Sequence, residues 1–412
     1  MSVTLESVPW FDVDMTTNAA ADVLTSDDAG DMLATALATT HLELEDWRLD
    51  AVHARPGAET SACYDVTASG ERIYLVASTV ELSDEQRAAT KAVRLQSETG
   101  TVHVWRHPAD PLLTGLADAC VPQALQARLA RAGADHPKID RLEMLVLRPL
   151  RRAVLRAEVA EDERHDVWFV KVVRPDRAGE LLHRHRLSSL APRALDAGDG
   201  IVLVAQADGA AMTEALHRRD GSEPGHVTGA SLITALDTLP PAVCELPRRN
   251  SIPERLEMYI DLARNRGLDG DRLDRLVASI GPGLKAPPEA ATVPTHGDFH
   301  AANVRVNDAS QPERIVGLID IDTLGPGRRA DDLACMVAHV LVLPTLDPNG
   351  YRGIEEHAAR LFSEFAETVE TEDLRRRVAA NLVALASGVD DDARASDWLS
   401  LALDVADERT LI

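Results

Sequence analysis

The segment Thr295-His296-Gly297-Asp298-Phe299-His300-Ala301-Ala302-Asn303-Val304, followed by Gly317-Leu318-Ile319-Asp320-Ile321-Asp322, constrains the fold more than any other part of the chain. Residues 304–306 and 315–319 read as two short apolar strands, and the polar stretch 307–313 between them reads as their turn. Antiparallel pairing of these strands would bring Asn303 and Asp320, at opposite ends of a hairpin, to one place. Such a chain gathers an Asp, an Asn five residues on, and a second Asp. Those are the groups that phosphoryl transfer from a nucleotide needs. One carboxylate orients or deprotonates the attacking hydroxyl, while an amide and a second carboxylate hold magnesium on the phosphates.

Asp298 is the candidate catalytic base. The loose transition state asks for little proton abstraction, so positioning the hydroxyl is the larger part of its task. A lone loop Asp more often caps its own turn; Asn303 and Asp320 nearby favour the catalytic reading. Asn303 offers a hard, neutral amide oxygen suited to Mg2+, and Asp320 is the expected anionic ligand. Asp322, two residues on in what reads as an extended stretch, would share a face with Asp320. It would then support the loop by hydrogen bonding or serve a second magnesium. His296, before a glycine, reads as a brace of the turn, and His300 as either a substrate contact or a surface residue. Asp332, at the start of a helix expected over residues 333–343, reads as an N-cap that also steadies the loop.

Lysine occurs only at Lys91, Lys138, Lys171 and Lys285, and arginine supplies the other basic residues, so each lysine asks for a reason. Lys171 lies in the apolar run Trp168-Phe169-Val170-Lys171-Val172-Val173. A cation facing inward there needs an anionic partner, which nucleotide phosphates and a helix carboxylate would supply. Glu180, in a helix expected over residues 177–190, is the best partner, with Glu163 and the His183/His185 pair also near in sequence. The alternative is an outward, solvated lysine on an edge strand. No Gly-x-Gly-x-x-Gly precedes it; residues 148–154, with Pro149, Arg151 and Arg152, take that place. A Gly-x-x-x-x-Gly-Lys-Ser/Thr loop is also absent from the sequence, which excludes a P-loop kinase by motif.

At 412 residues the chain is too long for one ordinary domain, and its patterning falls into parts 1–137, 138–209 and 210–412. The first has β-like runs at 47–54, 61–67, 72–78 and 101–105, and helices expected over 83–96 and 116–132. The second has strands at 143–147, 153–159, 167–173 and 201–205 around the helix at 177–190. From residue 210 the pattern is mostly helical, interrupted by a Gly/Pro-rich loop at 281–288 and by the Asp/Asn hairpin. The net charge of −24 argues against nonspecific nucleic-acid binding; an acidic surface suits steering of a cationic substrate or plain solubility. Cys63, Cys120, Cys244 and Cys335, without a Cys-x-x-Cys, fit reduced thiols better than a disulfide frame or zinc site. No uncharged run approaches the ~18 residues of a membrane span. The first six residues carry neither the basic nor the apolar part of a leader, so a cytoplasmic protein with no membrane partner is expected.

The 295–304 and 317–322 segments, with Asp331-Asp332-Leu333-Ala334, resemble the aminoglycoside phosphotransferase and choline kinase superfamily. The resemblance implies an α+β, protein-kinase-like bilobal fold: a β-rich N-lobe and a mostly helical C-lobe, here preceded by an α+β cap. It also implies ATP (GTP in some members) and Mg2+ as cofactors and a small-molecule hydroxyl as acceptor. Asp298 then corresponds to the catalytic Asp, Asn303 and Asp320 to the metal ligands, and Lys171 to the phosphate lysine. The extra N-terminal part resembles that of actinobacterial maltokinases and glucosamine kinases, which points to a sugar, amino sugar or aminoglycoside-like acceptor. Among the C-terminal helices, Asp397 and Trp398 offer a carboxylate for an amino group and an indole for a sugar ring. The competing reading there is a solvated acidic stretch before a helix with a core Trp. A catalytically inactive nucleotide-binding module that regulates a partner protein fits less well, because Asp298, Asn303, Asp320 and Lys171 are all present.

Overall fold

The computed structural model describes residues 19–54, 58–97, 100–134, 137–161, 164–218, 225–284 and 292–410. Lys285, Glu163, the first six residues and the second half of the 281–288 loop lie outside the described residues. Contacts group the chain into two units. One runs to Leu182 and takes in Arg193–Gln206; the other holds His183–Pro192 and everything from Ala207 onward.

The first unit contains two antiparallel five-stranded sheets. The earlier sheet comprises β1 (Leu44–Ala54), β2 (Thr60–Ala68), β3 (Glu71–Ser78), β4 (Val93–Ser97) and β5 (Gly100–Arg106), in the order β1-β2-β3-β5-β4. Period-two alternation sends Tyr64, Val66, Ile73 and Leu75 to one face, where α1 (Ala19–Val23) and α2 (Ala29–Ala38) pack on them. Cys63, Val76 and Trp105 belong to the opposite face. The helix expected over 83–96 is shorter. α3 (Asp84–Thr90) starts at a capping box made by Ser83 and Gln86, and ends at Lys91 in a left-handed conformation (φ 53°). The residues that follow are β4, because Val93 and Leu95 pack against the core of the sheet, and that burial outweighs local helix propensity. The single helix expected over 116–132 is likewise two, α4 (Leu116–Ala119) and α5 (Pro122–Arg131). Pro122 fits the first turn of a new helix but not the interior of a continuous one.

The second sheet comprises β6 (Lys138–Arg148), β7 (Arg152–Glu161), β8 (Arg164–Val173), β9 (Ala194–Asp196) and β10 (Ile201–Ala205), in the order β6-β7-β8-β10-β9. β9 had no sequence signal strong enough to mark it. One face packs on Leu116, Leu125 and Leu129 of α4 and α5. The other packs on Ala178, Leu181 and Leu182 of α6 (Pro175–Leu187).

The β6–β7 turn is tied to the earlier sheet. Leu150 has φ 64° and is fully buried in the cluster of Cys63, Val76 and Trp105. A left-handed conformation costs a leucine about 1–2 kcal/mol, and full burial of its side chain returns about 1.5–3 kcal/mol. The turn is therefore stable only while the apolar cluster covers it. Asp110 fixes its backbone: one carboxylate oxygen accepts from the Leu150 N–H at 2.8 Å, the other from Leu112 and Leu113, both at 2.9 Å. Arg174 Nε donates to the Leu150 carbonyl at 2.9 Å.

The other unit carries a small antiparallel sheet, β11 (Ala210–Ala211), β13 (Val304–Val306) and β14 (Ile315–Leu318), and a separate pair, β12 (Val293–Thr295) with β15 (Gly325–Gly327). Its helices are α7 (Met212–Leu216), α8 (Gly229–Asp237), α9 (Leu256–Asn265), α10 (Gly270–Ile280), α11 (Arg329–Leu346), α12 (Ile354–Ala366), α13 (Thr371–Gly388) and α14 (Asp392–Ala406). α11 is apolar nearly all round and lies at the centre, packed on α12 and α13. The β-rich first part and helical last part match the expected α+β, kinase-like architecture. Among the described residues no helix is long and apolar enough to cross a membrane. The four cysteines are free thiols.

Candidate active site

The loop between β12 and β13 is held from three sides. Gly297 has φ +82°, and a Cβ there would meet the Thr323 carbonyl oxygen at 2.8 Å, so only glycine suits this turn. Thr323 Oγ1 donates to the His296 carbonyl at 2.9 Å. The backbone N–H groups of His296 and Gly297 donate to the two oxygens of Asp332, each at 2.8 Å. His296 is fully buried, and its Nε2 donates to the Ile319 carbonyl at 3.0 Å while Nδ1 accepts from the Asp298 N–H at 3.3 Å. Acceptance at Nδ1 requires the neutral imidazole, and burial indeed pushes the His296 pKa down.

Asp298 follows the glycine and is 7% exposed. Its Oδ2 accepts from Asn303 Nδ2 at 3.3 Å. Its Oδ1 is buried without a hydrogen-bond partner; His300 Nε2 stands 3.7 Å away. Burial works to raise this carboxyl, but the neighbouring histidines, His300 first, outweigh it and hold the pKa at about 2. Asp298 is thus an ionised carboxylate with one oxygen unengaged. Asn303 Nδ2 also approaches the Asp298 carbonyl and His300 Nε2, both at 3.0 Å. All the hydrogen bonds of the Asn303 amide among the described residues are on nitrogen, leaving Oδ1 for another partner.

β13 and β14 pair antiparallel with Val304 opposite Leu318, and the Ile319 N–H donates to the Asn303 carbonyl at 2.9 Å. Asn303 and Asp320 therefore come to one end of the hairpin. Asp320 itself is left-handed (φ 54°, ψ 48°), a conformation Asp tolerates better than most residues. The extended stretch expected through Asp322 is instead a 3-10 turn, Ile321–Thr323. Residues two apart in such a turn point in different directions, so Asp322 does not share a face with Asp320. Asp332 departs from its expected place too. α11 begins at Arg329, so Asp332 lies in its first turn and is not the N-cap. Its loop contact is nevertheless direct. Burial raises its pKa to about 7, against the pull of the two N–H groups.

Two contributors carried no sequence signal of their own. His339 on α11 stacks on His300, ring centroids 4.3 Å apart and planes 9° from parallel. Its spacing of seven from Asp332, two helical turns on one face of α11, was the pattern that would have found it. Burial, with His300 beside it, pushes the His339 pKa down to about 3. Arg377 on α13 is fully buried; it pairs with Asp331 and donates to Asp373 at 3.0 Å, which pins the first turn of α11.

Elsewhere the placements are mixed. Lys171 is opposite Val154 of β7 and Val202 of β10, in the centre of its sheet, so the edge-strand alternative does not hold. By alternation it shares a face with Phe169 and Val173, the face that α6 covers. Glu180 is on α6 and accepts from Arg177 at 3.3 Å. Trp398 is not available to stack on a ligand: it is 2% exposed, and its Nε1 donates to Thr345 Oγ1 at 2.9 Å. The helical pattern that puts Ala395, Leu399 and Ala402 inside α14 takes the indole with them. Asp397 is exposed on the other side of the same helix.

Among the described residues no group of three or more His, Cys, Asp or Glu is arranged to hold a metal ion. Asn303 and Asp320 fit a different kind of site. They are an amide and a carboxylate at one hairpin end, and a magnesium on phosphates takes only one or two protein carboxylates.

The model of the phosphotransferase enzyme family matches residues 162–367, half of the chain. An uncharacterized protein of Deinococcus radiodurans is 38% identical over 79 residues, 19% of this chain, and the chain spans only 20% of that protein's length in the match. Among solved structures, spectinomycin phosphotransferase with ADP and spectinomycin superposes with a TM-score of 0.43 at 13% identity, over 70% of this chain and 98% of that one. The GDP complex of aminoglycoside 2'-phosphotransferase-IIIa gives 0.39 at 15% identity, over 70% and 97%. Plasmodium vivax ethanolamine kinase gives 0.39 at 12% identity, over 65% and 82%.

Proposed function

The chain belongs to the phosphotransferase enzyme family; from that premise we propose that it is a small-molecule phosphotransferase that transfers the γ-phosphoryl group of ATP, with Mg2+, to a hydroxyl of a small polar metabolite. A sugar, an amino sugar or an aminoglycoside-like compound is the acceptor class. The observation that carries the reading is the buried, ionised Asp298 carboxylate with Oδ1 unengaged. A buried carboxylate oxygen without a donor is costly, and its cost falls when a substrate hydroxyl donates to it.

In this reading Asp298 Oδ1 accepts the acceptor's O–H and aims the oxygen at phosphorus. With a pKa of about 2, Asp298 is a weak base, so orientation exceeds proton abstraction in importance. Asn303 Oδ1 and Asp320 would hold magnesium, which when bound offsets the negative charge of the phosphates. Lys171, a cation within an apolar sheet, would bind the nucleotide's phosphates, with Glu180 on the covering helix orienting it. His296 and Asp332 keep the loop in register. His300 borders the oxygen that meets the acceptor.

The test is a screen for ADP release over amino sugars, disaccharides, aminoglycosides, macrolides and choline-like alcohols, with phosphorus NMR on each hit. Asp298→Asn should lower kcat by about 10²–10⁴-fold, the usual range for a positioned acid–base group, and leave nucleotide affinity unchanged. Asp320→Ala should remove the Mg2+-dependent part of nucleotide binding. Full turnover by Asp298→Asn would sink the assignment. Nucleotide binding without ADP release on any acceptor would favour the regulatory module.

A further inference from the structure

We propose that His339 is a positioning residue: its ring face fixes the plane of His300, and through His300 the orientation of the Asn303 amide. This rests on the kinase reading above and extends it to a residue with no motif of its own.

Asn303 is the group that has to be oriented. Its amide has a donor end and an acceptor end, and only the oxygen is of use to a divalent cation. Nδ2 faces the Asp298 carbonyl at 3.0 Å, Asp298 Oδ2 at 3.3 Å and His300 Nε2 at 3.0 Å. The two Asp298 acceptors, and His300 Nε2 as a third in the tautomer that leaves it unprotonated, turn Oδ1 the other way. Two of the three belong to Asp298, beside it on the same loop. The third depends on where the His300 ring points.

Nothing local settles that. His300 is a loop residue, and the torsion that turns an imidazole about its Cβ–Cγ bond is broad. The restraint comes from α11. His339 lies face to face with His300 at 4.3 Å, tilted by 9°. The His339 side chain has no hydrogen bond among the described residues, so its direct contact with His300 is the ring face. α11 also carries Asp332, seven residues earlier, which holds the other end of the loop through the His296 and Gly297 N–H groups. One buried helix thus grips the loop at two points, once by hydrogen bonds and once by a flat ring.

Two variants separate flatness from bulk and from imidazole chemistry. His339→Phe keeps a flat ring; His339→Leu keeps bulk without one. Calorimetric titration of ATP with and without Mg2+ reads the Asn303 amide without turnover. His339→Leu should lose about tenfold of the Mg2+-dependent gain in nucleotide affinity, since residues supporting a metal ligand are commonly worth 10–100-fold. Its kcat should fall by a similar factor with acceptor KM within about twofold, while His339→Phe stays within about twofold of the native protein on all three. Thermal melts of both variants check that the fold is kept. If Leu and Phe behave alike, whether both retain or both lose the Mg2+ effect, the inference is overturned. The controls are Asp298→Asn and Asp320→Ala: if either behaves as the native protein, the kinase reading itself fails. If both lose function as expected, equal behaviour of Leu and Phe removes only the role of His339.

Discussion

Two loops in this molecule are each held by one buried aspartate, and they end differently. Asp332 accepts from the N–H groups of His296 and Gly297, and Asp110 from those of Leu112, Leu113 and Leu150. In the β6–β7 turn the tip, Leu150, is an apolar residue buried under Trp105, and its carbonyl is bonded to Arg174. Beyond the residues that Asp332 holds, the loop instead runs into Asp298 and Asn303, where Oδ1 of each has no hydrogen bond among the described residues. The same anchoring device closes one loop on itself and opens the other toward a ligand. Backbone satisfaction is what the two share. Both also hold a buried side-chain atom without a hydrogen-bond partner, Trp105 Nε1 in one and Asp298 Oδ1 in the other; what sets the candidate site apart is that its atom is a carboxylate oxygen, able to accept from a ligand.

Removing the two anchors tests that distinction. Asp332→Ala should cost both stability and turnover. The buried His296 N–H loses its acceptor at about 1–3 kcal/mol, the less buried Gly297 N–H at less, and kcat should fall by about 10²-fold as the Asp298 carboxylate shifts. Unfolding curves and steady-state rates measure the two losses. A variant that lost stability alone would show that Asp298 keeps its place without this anchor. Asp110→Ala should cost about 1–3 kcal/mol for each of the two buried N–H groups it leaves without an acceptor, Leu113 and Leu150, but leave kcat within about twofold, with any change appearing in nucleotide KM. A collapse of kcat in that variant would erase the contrast between the loops.

The smallest expected effect is in pH dependence, and here the comparison lies within the site. Asp332 has a pKa of about 7 in the folded protein against an ordinary 3.8. Folding therefore favours its neutral form, so its contribution to stability is full below about pH 3.8 and is lost as pH rises through 7. Asp298 runs the other way: with a pKa of about 2 its contribution is present above 3.8 and is lost as pH falls through 2. Asp332→Asn should flatten the decline of the unfolding midpoint between about pH 4 and 7. A melting series that kept its native slope would show that Asp332 is not held up by burial.

Much of the site was legible in the sequence, and the reason is distance along the chain. Asp298, Asn303 and Asp320 are spaced by a loop and a short hairpin, whose pairing follows from two apolar runs and a polar turn. Asp322 was misread because alternation was extended beyond the strand's end, into a 3-10 turn that only the left-handed Asp320 announces. Lys171 could be placed on a strand but not in the middle of a sheet. That depends on β10, which follows a helix and arrives from about 30 residues away. Trp398 could be read as a ligand platform or as core, and the packing of α14 decided for core.

By itself, then, the sequence determined the candidate groups and their local order, because a tight turn and a hairpin are specified by neighbours. It also determined the family, through words confined to those turns. The tertiary structure decided what makes the groups usable. It brought α11 under the loop, so that Asp332 holds two N–H groups and His339 faces His300, and it buried Asp298 with one oxygen unengaged. Those contacts join residues more than 30 apart in the chain. They arise from the packing of a nearly all-apolar helix, whose own sequence pattern says that it is buried but not what it is buried against.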